Sequence, residues 1–148
     1  MAKFFEDIKL GDKYVTPART IELADIINFA GLTGDWNPLH TNKEHAEKIF
    51  GGRIAHGLLT LSVISGLSAR GGILSDTEEN IIAFLGIKEL KFLNPVMSGD
   101  TIHLEEEVVN KRETKKADRG VISISWLVKN QKDDKIMVGE ANIMIKRK

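Results

Sequence analysis

An aspartate and a histidine stand five residues apart in the segment Asp35-Trp36-Asn37-Pro38-Leu39-His40. On a proline-braced loop, a carboxylate and an imidazole can converge on one small volume and hold a water between a base and an acid. Sixteen residues on, a second histidine stands in Ile54-Ala55-His56-Gly57, where an apolar stretch begins. A helix starting there would offer unpaired backbone N–H groups and a positive dipole end, a setting that suits a developing oxyanion. Each residue also has a plainer reading. Asp35 and Asn37 can shape Asx turns, and His40 can be a buried ring bonded to a carbonyl. His56 reads as a simple helix-start contact with no catalytic role. Ser65, on the apolar stretch, can bond back to the preceding turn. His45 and His103 read as solvated. A metal is not expected: if residues 40–45 were helical, His40 and His45 would lie ~140° apart, far from one face.

The elements that must position these groups divide the chain in two. Val15–Ile21 reads as a strand broken by Pro17. Thr20 then caps a helix over Ile21–Leu32, with Leu23, Ile27 and Ala30 on one face. Residues 33–42 are dense in turn formers and read as a loop, followed by a short helix over Lys43–Ile49. Ile54–Ala69 contains no Asp, Glu, Lys or Arg, and His56 is its only titratable side chain. A helix apolar on nearly all sides is normally buried, so this one reads as a central core helix. After a polar stretch to Asn80 come four strands. They are Ile81–Leu93, a strand with Ile102, Leu104, Glu106 and Val108 on one face, Val121–Val128 and Met137–Ile145. Alternating strands with short links give an antiparallel sheet, and the whole an α+β domain with a buried helix against one sheet face.

Composition narrows the chemistry. The 148 residues suit a single domain, 1–148, large enough for its own core. Lys plus Arg and Asp plus Glu both total 21, so the basic excess of a nucleic-acid binder is missing. With no cysteine, thiolate metal sites, disulfides and cysteine nucleophiles are excluded. The first twelve residues lack a signal-peptide core, and no apolar run reaches membrane-spanning length. A cytoplasmic location is the expectation.

The combination is more specific than its parts. GDWNPLH followed by GRIAHGLL resembles the signature of the MaoC-like dehydratases, the (R)-specific enoyl-CoA hydratases or hydratase 2 family, in which D-x-N-P-x-H precedes an apolar A-H-G at a helix start. Leu90-Lys91-Phe92-Leu93-Asn94-Pro95-Val96 with Gly99-Asp100 is similar to the family's F-x-x-P-V-x-x-G-D strand and turn, and the likeness runs from about Lys9 to Ile145. The resemblance implies a hot-dog fold, a long central helix wrapped by a bent antiparallel sheet. It implies Asp35 and His40 as the catalytic pair, Asn37 as a residue that shapes the loop and helps orient the pair, and a Gly57 N–H on the thioester oxygen. Ser65 is carried over as a residue that orders the site.

The expected reaction is reversible syn hydration of a trans-2-enoyl thioester to an (R)-3-hydroxyacyl thioester. It needs no metal or redox cofactor, with coenzyme A or acyl carrier protein as the substrate's handle. A hot-dog acyl-CoA thioesterase and a non-catalytic acyl-thioester-binding module are the alternatives. A homodimer or higher homo-oligomer is expected, because a single unit leaves a sheet edge open. The cluster Lys111, Arg112, Lys115, Lys116 and Arg119 reads as a solvated turn, with the phosphates of coenzyme A as the other reading.

Overall fold

The computed structural model describes all 148 residues. Strands β1 (Lys13–Val15) and β2 (Arg19–Thr20) flank Pro17, as the break predicted, and each pairs separately with β4. Helices α1 (Leu23–Thr33), α2 (Pro38–Thr41), α3 (Lys43–Phe50), α4 (Gly57–Gly71) and α5 (Ile73–Thr77) follow. The long strands are β3 (Ile81–Phe92), β4 (Thr101–Glu113), β5 (Arg119–Lys129) and β6 (Lys135–Lys146). The antiparallel sheet runs β1-β4-β5-β6-β3, so β3 is an edge. Register shifts interrupt the β3–β6 ladder at three places, and Glu89 in one of them has φ 49°. Such bulges bend and twist a strand, which lets the sheet curl around α4.

Alternation placed the sheet's inner face correctly. Ile102, Leu104, Glu106 and Val108 on β4 are buried, as are Ile122, Ile124, Trp126 and Val128 on β5 and Met137, Ala141, Ile143 and Ile145 on β6. Against this face α4 sets two stripes at i,i+4 spacing, Leu59–Val63–Leu67 and Thr60–Ile64–Ser68.

Several local expectations are corrected. Thr20 does not cap α1. It lies in β2, with its hydroxyl 2.8 Å from that of Thr101, and Glu22 and Asp25 close the helix end reciprocally. The most buried residues of α1 are Ile26 and Ala30, with Leu23 and Ile27 half-buried beside them. The loop 33–42 contains the turn α2, and the polar stretch before Asn80 contains α5. The α4 helix is buried on one side only. Leu58, Ser62, Ser65, Gly66 and Ala69 form an open face that is uncharged until it ends at Arg70. Lack of charge marked the helix as apolar, but in a two-layer domain the sheet covers only one side of it. The basic cluster is also dispersed: Lys111 reaches inward to the carbonyls of Phe5 and Ile8, and Arg119 pairs with Asp118 at 2.7 Å.

Glu106 ties the layers together. Its carboxyl, 3% exposed, accepts from Ser68 Oγ at 2.8 Å and from the Ile73 N–H at 2.9 Å, joining β4 to the α4–α5 bend. Gly72 is required at that bend, since a Cβ there would lie 2.1 Å from Glu106 Oε2. Burial pushes the Glu106 carboxyl up from its ordinary value, partly offset by these two hydrogen bonds. Between the ordinary and the raised value the folded chain keeps a proton that the unfolded chain has lost. Glu106 therefore lowers stability progressively as pH rises through that window, and its contribution is most favourable on the acid side. Urea unfolding midpoints should show this fall in the wild type and a flatter profile in Glu106→Gln. An equal fall in both would assign the pH dependence elsewhere.

Candidate active site

Local chemistry builds the loop that carries the pair. Gly34 ends α1 at φ 78°, a left-handed position that suits glycine. Asp35 Oδ1 then accepts from the Asn37 N–H at 3.2 Å, an Asx turn. Asn37 Oδ1 in turn accepts from the Leu39 N–H at 3.0 Å, which makes Asn37 the N-cap of α2, with Pro38 at its first position. Asn37 thus joins the turn bearing Asp35 to the helix bearing His40.

His40 is buried, and its Nδ1 lies 2.7 Å from the Ile54 carbonyl. A carbonyl only accepts, so Nδ1 carries the proton, and in the neutral ring Nε2 presents a lone pair. The Ile54 N–H returns a bond to the Leu39 carbonyl at 3.3 Å. Residues 53–55 are fastened in turn to the Pro95 segment: Ala55 N–H to Val96 O at 2.8 Å and Ser98 N–H to Arg53 O at 3.1 Å. The two motif segments are thus hydrogen-bonded neighbours.

His56 is the N-cap of α4 and is 3% exposed. Its ring stacks on His40, with centroids 3.7 Å apart at 27°, and Phe29 tilts against it at 4.9 Å. Its Nε2 is 3.0 Å from the Asp35 backbone carbonyl and 4.0 Å from Asp35 Oδ2. One donor atom each from Asp35, His40 and His56 falls within 4.8 Å of the others. That separation admits one water touching both Asp35 and His40. Stacked rings present their in-plane lone pairs side by side rather than toward one point, which suits a shared water better than a tetrahedral ion.

Gly57 opens α4, and its N–H has no acceptor within the chain. It lines an apolar cavity of about 410 Å³ with Ile54, Ala55, Leu58, Phe92 and Pro95. A Cβ at Gly57 would come within 2.8 Å of the Phe92 ring, so glycine lets that ring pack against the start of α4. Asp35 and His40 do not line this cavity. Asp35 lies at the surface with its side chain 56% exposed.

Ser65 is not brought to the pair. It sits on the open face of α4, eight residues along and roughly 12 Å of helix rise from Gly57. There it makes no side-chain hydrogen bond and lines a second cavity with Leu61, Phe84 and Trp126. The serine of α4 that bonds across to the sheet is Ser68, and Ser62 bonds back to the Leu58 carbonyl. His45 is exposed, and His103 pairs with Glu105 on the sheet, both away from the site.

The MaoC like domain family model matches residues 6–130. The chain belongs to the MaoC-like domain family. Among curated relatives, it is 42% identical to Protein MaoC of Klebsiella aerogenes over 79% of this chain and 33% of that one. It is 40% identical to the (R)-specific enoyl-CoA hydratase of Rhodospirillum rubrum over 67% of this chain and 65% of that one. With the 3-hydroxybutyryl-CoA dehydratase of Methylorubrum extorquens the identity is 30%, over 98% and 85%. The MaoC-like chain thus spans a third of the first relative and just under two thirds of the second. Among solved structures, a monoamine oxidase regulatory protein from Archaeoglobus fulgius superposes with TM-score 0.91 at 40% identity, over 99% of this chain and 96% of that one. A double-hotdog protein from Mycobacterium tuberculosis superposes at 0.87 and 20% identity over 99% of this chain and 45% of that one, a likeness of fold alone. The architecture is the hot-dog fold.

Proposed function

We propose that this MaoC-like domain is a hydro-lyase that adds water reversibly to a trans-2-enoyl thioester, giving the (R)-3-hydroxyacyl thioester. The observation that carries the reading is the convergence of an exposed carboxylate and an oriented imidazole, within 4.8 Å, on the loop next to an unpartnered helix-start N–H. Two relatives named as an (R)-specific enoyl-CoA hydratase and a 3-hydroxybutyryl-CoA dehydratase support it.

In the hydration direction, Asp35 and His40 hold one water. One of them takes a proton from it as its oxygen bonds to the β carbon, and the other delivers a proton to the α carbon. One hydrogen of the water stays on the new hydroxyl, the other rests on the base, and its transfer through solvent to the group that protonated the α carbon resets the pair. The Gly57 N–H, aided by the α4 dipole, stabilises the thioester oxygen as it takes on enolate charge. Acid–base action of this kind contributes about 10²–10⁴-fold, and an oxyanion donor about 10²–10³-fold. No step calls for a metal or redox cofactor, and coenzyme A or acyl carrier protein is the substrate's handle.

A second copy of the chain completes the site. Strand β3 is an unpaired edge with Ile82, Phe84, Leu85 and Phe92 exposed, and the open face of α4 is uncharged from Leu58 to Ala69. Exposed edges and apolar faces of this size are ordinarily covered, so light scattering should report a dimer or larger; a monomer would count against it.

The test is turnover of crotonyl-CoA followed two ways, by loss of enoyl absorbance and by thiol release. Loss of absorbance without thiol is expected. Thiol release would make the domain a thioesterase, and binding without turnover would make it an acyl-thioester-binding module.

A further inference from the structure

From its contacts we infer that His56 is a positioning residue for hydration, acting through Asp35 and His40 together; the inference rests on the function proposed above. Its ring touches both members of the pair, by hydrogen bond to the Asp35 carbonyl and by stacking on His40. Because a carbonyl only accepts, His56 donates through Nε2–H. Its Nδ1 is buried with no hydrogen-bond partner, where an N–H would be left unsatisfied. The orientation of the ring is therefore determined by what it holds. The Nδ1–Ile54 bond alone lets the His40 ring tilt about that axis, and the stack at 3.7 Å sets its plane. The bond to the Asp35 carbonyl keeps the 34–37 turn at the height of that plane. Phe29, packed at 4.9 Å, and the start of α4 hold His56 itself. One ring thus sets the spacing that admits a single water, and misplacement by about 1 Å at a reacting centre can cost about 10²-fold.

The contacts separate by substitution. His56→Phe keeps the stack and loses the donor. His56→Gln keeps a donor near the Nε2 position and loses the stack. Each should lower kcat for crotonyl-CoA hydration, referred to the folded protein measured by circular dichroism, by about 10–100-fold with KM within about twofold; an unfolded fraction would lower apparent kcat only in proportion to the folded signal lost. In an Asp35→Asn background, His56→Phe should cost little more, since it acts through a group already disabled. Wild-type kcat in both variants, losses carried in KM, or fully multiplicative losses in the double variant would overturn the inference while leaving the hydratase reading intact. If His56→Phe does not fold, His56→Gln and its Asp35→Asn double variant decide by the same criteria. A wild type that does not hydrate crotonyl-CoA overturns the functional reading and this inference with it.

Discussion

Asp35→Asn should lower the rate of crotonyl-CoA hydration by about 10²–10⁴-fold, with the fold and its stability unchanged. Asparagine has nearly the same shape, and its amide oxygen can still accept from the Asn37 N–H, so the Asx turn survives. What is lost is a group that can gain and release a proton next to the water. The side chain is 56% exposed, so its exchange should move unfolding free energy by no more than about 0.5 kcal/mol. The loss should appear in kcat, with KM nearly unchanged, because the carboxylate acts on the water rather than on the thioester handle. Turnover above a tenth of wild type would mean that the exposed carboxylate is only a turn-former.

His40→Asn is the second large effect, and its reasoning differs because His40 is buried. An asparagine amide nitrogen sits close to where Nδ1 was and can still donate to the Ile54 carbonyl. The variant therefore deletes Nε2 while retaining the bond that ties α2 to the segment before α4. Activity should fall by about 10²–10⁴-fold. Stability should fall as well, by about 1–3 kcal/mol, because His56 loses the ring it stacks on and a small cavity opens. Measuring kcat well below the unfolding midpoint separates the two effects. The Asp35→Asn, His40→Asn double variant should be little slower than the worse single one, since the two groups serve one water. Independent, multiplicative losses would indicate separate roles.

Much of this was legible in the chain because it rests on short-range regularities. The alternation through Ile102, Leu104, Glu106 and Val108 gave the buried face of β4, and the turn formers around Asp35 and Asn37 marked the loop. Other features depend on residues far apart in sequence. That Glu106 sits in the core followed from its parity, but its partners Ser68 and Ile73 lie 38 and 33 positions away, and no local pattern names them. The absence of charge from Ile54 to Ala69 points to burial all round, yet one face is open, because a sheet covers only one side of a helix. His56 looked like a helix-start contact. Its stack on His40 arises only when residues 53–55 pair with the Pro95 segment and draw α4 under the loop. Ser65 matched a family offset, but its helical phase turns it away from the pair.

The most direct test of a single water shared by Asp35 and His40 is the stereochemistry of hydration in D2O. Crotonyl-CoA should give the (R)-3-hydroxy product with deuterium at the α carbon on the same face as the new hydroxyl, because both additions come from one side. An (S) product, or deuterium on the opposite face, would contradict the account.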